Sequence, residues 1–195
     1  MLPWLNLLVL ILSTLLFLYF YVKSVSPAQL ARKIGERAWR RCMWLRVIAG
    51  FFEFVIVANY VLYLYYPLPL GMPEQFPWPW WISIVIAIVI GIPSVWLMIR
   101  GMLDAGRETL EPKQEHTMYS GIYQRMRHPQ AFGEMPAFWV VAFALHSPFL
   151  VLWSFIYIPV FVLMSKAEEV DLLMRFGQEY EEYRQQVGIF GLNRR

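Results

Sequence analysis

Cysteine is all but missing from this sequence. Cys42 is the only one in 195 residues, which excludes an intrachain disulfide and any metal site built on several thiolates. No metal is expected from the histidines either, because neither His116 nor His146 has a partner at metal-ligand spacing. Charge is scarce too. Asp, Glu, Lys and Arg make up 16% of the chain and hydrophobic residues 58%, and the apolar residues fall in long blocks instead of periodic stripes. That is the composition of a membrane protein. The net charge of +3 is not gathered into a compact basic domain, so no DNA or RNA partner is expected. There is no internal repeat, low-complexity tract or long linker, and one domain is expected over residues 1–195.

The uncharged blocks set the expected architecture: an all-α integral membrane protein with five transmembrane helices, at about 2–22, 47–66, 80–99, 135–145 and 148–165. A bilayer core needs about 20 apolar residues from a helix. Met1-Leu2-Pro3 lacks the basic start of a signal peptide and no small-residue cleavage site follows, so the first block reads as a span. Residues 135–165 are 31 in number and uncharged, too many for one helix and too few for two full spans. His146-Ser147-Pro148 divides them into a short hairpin, since proline opens a helix readily and disfavours helical geometry before it. Basic residues are retained in cytoplasmic segments. All seventeen Lys and Arg fall between spans one and two, between spans three and four, or after Ser165. Only a hairpin keeps these groups on one side, with the N-terminus outside and the C-terminus cytoplasmic.

Three polar pieces then face the cytoplasm. Residues 26–46 read as an amphipathic surface helix, with Leu30, Ile34, Ala38 and Cys42 at a spacing of four. Residues 100–134 carry Gly101, Gly106, Pro112, Gly121, Pro129 and Gly133 among charges and read as an ordered loop. After Ser165, apolar residues from Val170 to Val187 recur at spacings of three or four, predicting a C-terminal amphipathic helix. Within the second span the polar residues Glu53 and Asn59 suggest a helix–helix hydrogen bond or a lining for a substrate path.

Two constellations could carry chemistry. One is Gly121-Ile122-Tyr123 followed by Arg127-His128-Pro129-Gln130-Ala131-Phe132-Gly133, where Arg127 and His128 could equally be anchors for lipid phosphates. The other is Glu168-Glu169, which could be a solvated helix start. At 100° per residue the two carboxylates cannot face the same way, so at most one enters a given pocket.

Taken in order, Gly-x-Tyr, Arg-His-Pro-x-x-x-Gly and Glu-Glu-x-x-Leu-x-x-x-Phe-Gly-x-x-Tyr-x-x-Tyr resemble the isoprenylcysteine carboxyl methyltransferase family, as a short prokaryotic member. The matching residues lie in segments 108–133 and 166–187. Ala131 replaces an aromatic common in that family, and Val187-Gly188 replaces a Val-Pro ending. The resemblance implies S-adenosylmethionine as cofactor, with S-adenosylhomocysteine as product, held without a Rossmann domain; the chain accordingly has no strand followed by Gly-x-Gly-x-x-Gly. It also implies that Glu115, His116, Thr117 and Met118 lie along the cofactor, with Gly121 and Tyr123 beside it. His128, Pro129, Gln130 and Ala131 would bound the same pocket, Glu168 would bind the cofactor, and the terminal helix would close over it with Tyr180 and Tyr183 as packing.

The expected acceptor is a lipid or lipidated molecule arriving sideways from the membrane through the hairpin, at Ala142 or Ala144. A carboxylate acceptor, as in isoprenylcysteine O-methylation, is already ionised, and Arg127 is suited to grip it. A phospholipid amine must lose a proton, for which Glu169 or His128 would serve. An NADPH-dependent sterol-type reductase and a non-enzymatic membrane scaffold are the rival classes. Saturable uptake of S-adenosylmethionine without NADPH separates the first from the methyltransferase reading. Oligomeric state is not legible.

Overall fold

The computed structural model describes residues 1–112, 120–189 and 191, all helical or irregular. Nine α-helices occur among them: α1 Leu2–Ser24, α2 Pro27–Ile34, α3 Arg37–Tyr63, α4 Trp80–Ala105, α5 Pro129–Glu134, α6 Ala137–Ala144, α7 Pro148–Ser154, α8 Tyr157–Phe176 and α9 Gln178–Gln186. Four segments are long and apolar enough to cross a membrane: Leu2–Ser24, Arg37–Tyr63, Trp80–Thr109 and Pro148–Phe176.

α1 packs along α3. Polar side chains stitch the bundle inside its apolar contacts: Asn6 Nδ2 donates to the Asn59 carbonyl at 3.2 Å, Thr14 bonds the Tyr157 hydroxyl, and Tyr60 bonds Ser154. Asn59 thus serves a helix–helix bond through its backbone. Leu10, Phe17, Ile56, Tyr60, Phe138, Tyr157, Phe161 and Met164 form the buried centre, with the rings of Phe138 and Tyr157 stacked at 3.6 Å.

The chain reverses at residues 146–147, as the sequence predicts. His146 takes a positive φ of 57°, a conformation uncommon for a non-glycine residue. Ser83 of α4 holds it there through a 2.7 Å bond to Nδ1, while Trp80 Nε1 donates to the Ala144 carbonyl. Ser147 then caps α7 by accepting from the Leu150 N–H, and Pro148 opens that helix.

Below this tip, α6 and α5 descend along α4 in the opposite direction, and glycine sets how closely. A Cβ on Gly133 would fall onto Met98 N and lie 2.6 Å from Ser94 O; one on Gly101 would lie 2.8 Å from Gln130 Cγ. Backbone therefore meets backbone along this seam, with α5 pressed against α4.

Two expectations are revised. The amphipathic stretch 26–46 is not one helix: Gly35, at φ 66°, ends α2, and α3 begins at Arg37 and continues into the second span. The N-terminus of α2 is fixed by Asp171 of α8, whose Oδ1 accepts from the Ala28 and Gln29 N–H groups at 2.8 and 3.2 Å, groups with no partner inside the helix. The C-terminal amphipathic stretch is likewise divided. α8 runs unbroken past Ser165 to Phe176, Gly177 at φ 55° breaks it, and α9 follows.

Candidate active site

The two arms of the hairpin bring the sequence-distant motifs face to face. His128 immediately precedes α5 and is buried against α8, with Glu168 Oε2 3.3 Å from Nδ1 and Glu169 Oε1 3.1 Å from Nε2. Successive residues on a helix diverge by 100°, and here the imidazole fills the angle between the two carboxylates. Burial disfavours the charged imidazolium, but the hydrogen bonds to Glu168 and Glu169 outweigh it and raise the His128 pKa to about 9.

The sign of the resulting pH effect follows. Stability from this imidazolium is fully present below about 6.5, the ordinary histidine value, and is lost as pH rises through about 9. The melting temperature of the detergent-solubilised protein is expected to fall across that window, and His128→Gln should flatten the fall. Equal slopes in the two proteins would mean that His128 is not the titrating group.

Arg127 completes the cluster. Its Nη2 lies 2.9 Å from Glu169 Oε1, and its Nη1 donates to the Arg184 and Val187 carbonyls at 2.8 and 3.1 Å. The Arg127 N–H donates to the Gly188 carbonyl. One guanidinium thus joins a carboxylate of α8 to the end of α9. Tyr183 adds a second tie by donating to the Tyr123 carbonyl at 2.6 Å, and Tyr180 is buried beside it.

His128 separates two cavities. The polar one is lined by Tyr21, Arg46, Glu108, Thr109, Tyr123 and Glu168, with Arg127, Gln130 and Ala131. Gln130 Nε2 organises one wall, donating to the Tyr123 hydroxyl, Thr109 Oγ1 and the Gly101 carbonyl at 2.9, 3.1 and 3.2 Å. The apolar cavity, of about 440 Å³, opens between the hairpin arms. Phe132 and Met135 line one side and Ile158, Phe161 and Val162 the other, and its polar end is made by His128, Lys166 and Glu169. Glu168 therefore belongs to one cavity and Glu169 to the other.

Of the residues singled out in the sequence, Tyr123, Arg127, His128, Gln130, Ala131, Glu168 and Glu169 converge here. Gly121 and Pro129 line neither cavity. Gly121, at φ 59°, leaves no room for a Cβ beside the Asp104 carboxylate, which accepts the Ile122 N–H at 2.6 Å. Pro129 starts α5. Glu115, His116, Thr117 and Met118 lie outside the described residues. Ala142 is fully buried in the core and Ala144 sits by the hairpin tip, and neither lines the apolar cavity. Tyr21, Arg46, Glu108 and Thr109 were missed: Arg46 reads as one more cytoplasmic arginine and Tyr21 as part of an apolar run.

Comparison with protein families matches residues 81–179, just over half of the chain, to the family described as phospholipid methyltransferase. Neither the curated proteins nor the solved structures give a match.

Proposed function

Because the chain belongs to the phospholipid methyltransferase family, we propose that it is a membrane enzyme that transfers a methyl group from S-adenosylmethionine to an amine in the headgroup of a membrane lipid. The observation that carries this reading is the junction of a polar and an apolar cavity at His128, each with its own glutamate. A water-soluble donor and a lipid-borne acceptor need such a pair of sites meeting at one point. The donor set of the polar cavity, whose volume of about 40 Å³ takes only part of the cofactor, suits one end of it: Tyr21 and Tyr123 offer aromatic surface, Gln130 an amide and Glu168 an acceptor for an ammonium group. When bound, the cofactor supplies a methyl group on a sulfonium, open to in-line attack by a lone pair.

An amine acceptor arrives protonated and must release its proton as the new C–N bond forms. His128, held as an imidazolium between two carboxylates, is a poor base at neutral pH and serves to position both glutamates. That leaves Glu169, ionised and at the polar end of the apolar cavity, to bind the ammonium and receive its proton. Arg127 is committed to Glu169 and to two backbone carbonyls, so it orients this carboxylate instead of gripping an anionic acceptor.

A carboxylate acceptor, as the isoprenylcysteine resemblance implies, is supported by Lys166, an exposed cation lining the same cavity. Incubating the purified protein with methyl-labelled cofactor and a membrane extract separates the two. Label in stable N-methyl lipid supports the amine reading; label in base-labile esters supports the carboxylate reading and overturns the first.

The same geometry supports a reading of the membrane arrangement. Gln130 meets Gly101 at one end of α4 and His146 meets Ser83 near the other, so the α5–α6 arm covers nearly the depth of α4, which supports a proposed fifth crossing; the basic segments and the site are proposed to face the cytoplasm on the distribution of Lys and Arg. Val162→Trp, which fills the apolar cavity, is expected to cut turnover of the lipid acceptor about tenfold or more while leaving cofactor affinity unchanged in calorimetry. Unchanged turnover would move the acceptor elsewhere.

A further inference from the structure

The polar cavity holds one cation that the reaction above does not use. Arg46, on α3, is fixed at the cavity wall by Nη1, which donates to the Glu108 and Thr109 carbonyls at 2.8 and 2.7 Å. That wall is itself anchored to α8, since Glu108 Oε1 lies 2.7 Å from Arg175 Nη1. The Arg46 Nε is buried and donates to nothing among the described residues, an unmet donor of a kind that native structures rarely leave without a reason. Glu168 lines the same cavity. It spends Oε2 on His128 and forms no ion pair with Arg46 among the described residues. A guanidinium and a carboxylate that share a cavity without pairing are the complement of a zwitterion.

We propose that Arg46 and Glu168 together recognise the amino-acid end of the methyl donor, Arg46 taking its α-carboxylate and Glu168 its α-ammonium. This rests on the cofactor assignment above and extends it to a residue of α3, outside both motifs. Arginine suits the role because its planar fork matches a carboxylate. The two backbone acceptors hold that fork in place before the ligand arrives, so little order has to be created on binding. The arrangement also explains why the cavity is closed by elements from four parts of the chain: the amino-acid end is read by α3 and α8, and the remainder of the ligand is left to the loop wall.

Calorimetry on the purified full chain with three ligands tests this. S-adenosylmethionine carries both charged groups, decarboxylated S-adenosylmethionine lacks the carboxylate, and methylthioadenosine lacks the whole amino-acid end. The wild type is expected to bind S-adenosylmethionine roughly tenfold or more tighter than the decarboxylated form, the size of a charge-assisted contact. Arg46→Gln should erase that preference and leave methylthioadenosine binding unchanged, with Arg46→Lys restoring part of it. Glu168→Gln should weaken S-adenosylmethionine and its decarboxylated form alike, again sparing methylthioadenosine. A wild type without the carboxylate preference overturns the proposal, and needs no variant that folds. Equal weakening of all three ligands by Arg46→Gln would also overturn it, reducing Arg46 to a staple between α3 and the loop. A wild type that binds none of the three would overturn the cofactor assignment first, and this inference with it.

Discussion

Glu169→Gln is expected to lower methyl-transfer turnover by about 100-fold or more with only a small drop in melting temperature, whereas Glu169→Ala should cost about 3–5 kcal/mol of stability. The two variants separate chemistry from architecture. Glutamine keeps an oxygen that can accept from Arg127 and His128, which lie 2.9 and 3.1 Å from Glu169 Oε1, but it cannot take a proton from an ammonium. Alanine removes the acceptor altogether and leaves a buried guanidinium and a buried imidazolium without their shared carboxylate. Turnover by Glu169→Gln close to the wild-type rate would eliminate Glu169 as the base. Full stability of Glu169→Ala would show that the cluster does not hold α5 to α8.

The second large effect is at a residue with no side chain. Gly133→Ala is expected to destabilise the protein by about 3 kcal/mol, the upper end for an overpacked contact, because the added Cβ meets Met98 N and Ser94 O. Both are backbone atoms of a helix and cannot swing aside. α5 would have to lift from α4, carrying His128 away from the two glutamates, so cofactor binding should fall with stability. Gly50→Ala is the control: it sits in α3 with nothing within 4 Å of an added Cβ and should be neutral or stabilise the helix by up to about 1 kcal/mol. Chemical or thermal denaturation of both variants in one detergent decides the matter. Equal stabilities would place no close contact at Gly133.

What was legible in the sequence is tied to strong local signals. Pro148 in a 31-residue uncharged block marked the reversal, and adjacent acids after an apolar span marked α8 as unusual. The divergence of Glu168 and Glu169 into different cavities followed from helical geometry alone. The break at Gly35 was hidden because the spacing of Leu30, Ile34, Ala38 and Cys42 continues across it. The other end of α2 is fixed by Asp171, a contact that joins residues 143 apart and leaves no local trace. The boundary at Ser165 was hidden for the opposite reason: charge begins there, but backbone hydrogen bonding does not stop. Arg46 and Tyr21 could not be recognised as site residues because nothing near them in the chain differs from an ordinary span and its basic flank.

The hairpin also acts as a ruler. His128 reaches Glu168 and Glu169 at separations of 40 and 41 residues, and the turn at 146–147 lies near the midpoint of that interval. A residue inserted into either arm would turn everything beyond it by 100° and shift it by 1.5 Å, delivering the wrong face to the opposite arm. Two such errors cancel only if each arm changes in step. Length is therefore a conserved quantity of this segment in the physical sense, independent of which apolar residues fill it, whereas residues 64–79, between α3 and α4, are under no such rule. Size variation compatible with activity belongs there, and a functional relative with one arm longer than the other would need a bulge to restore the count.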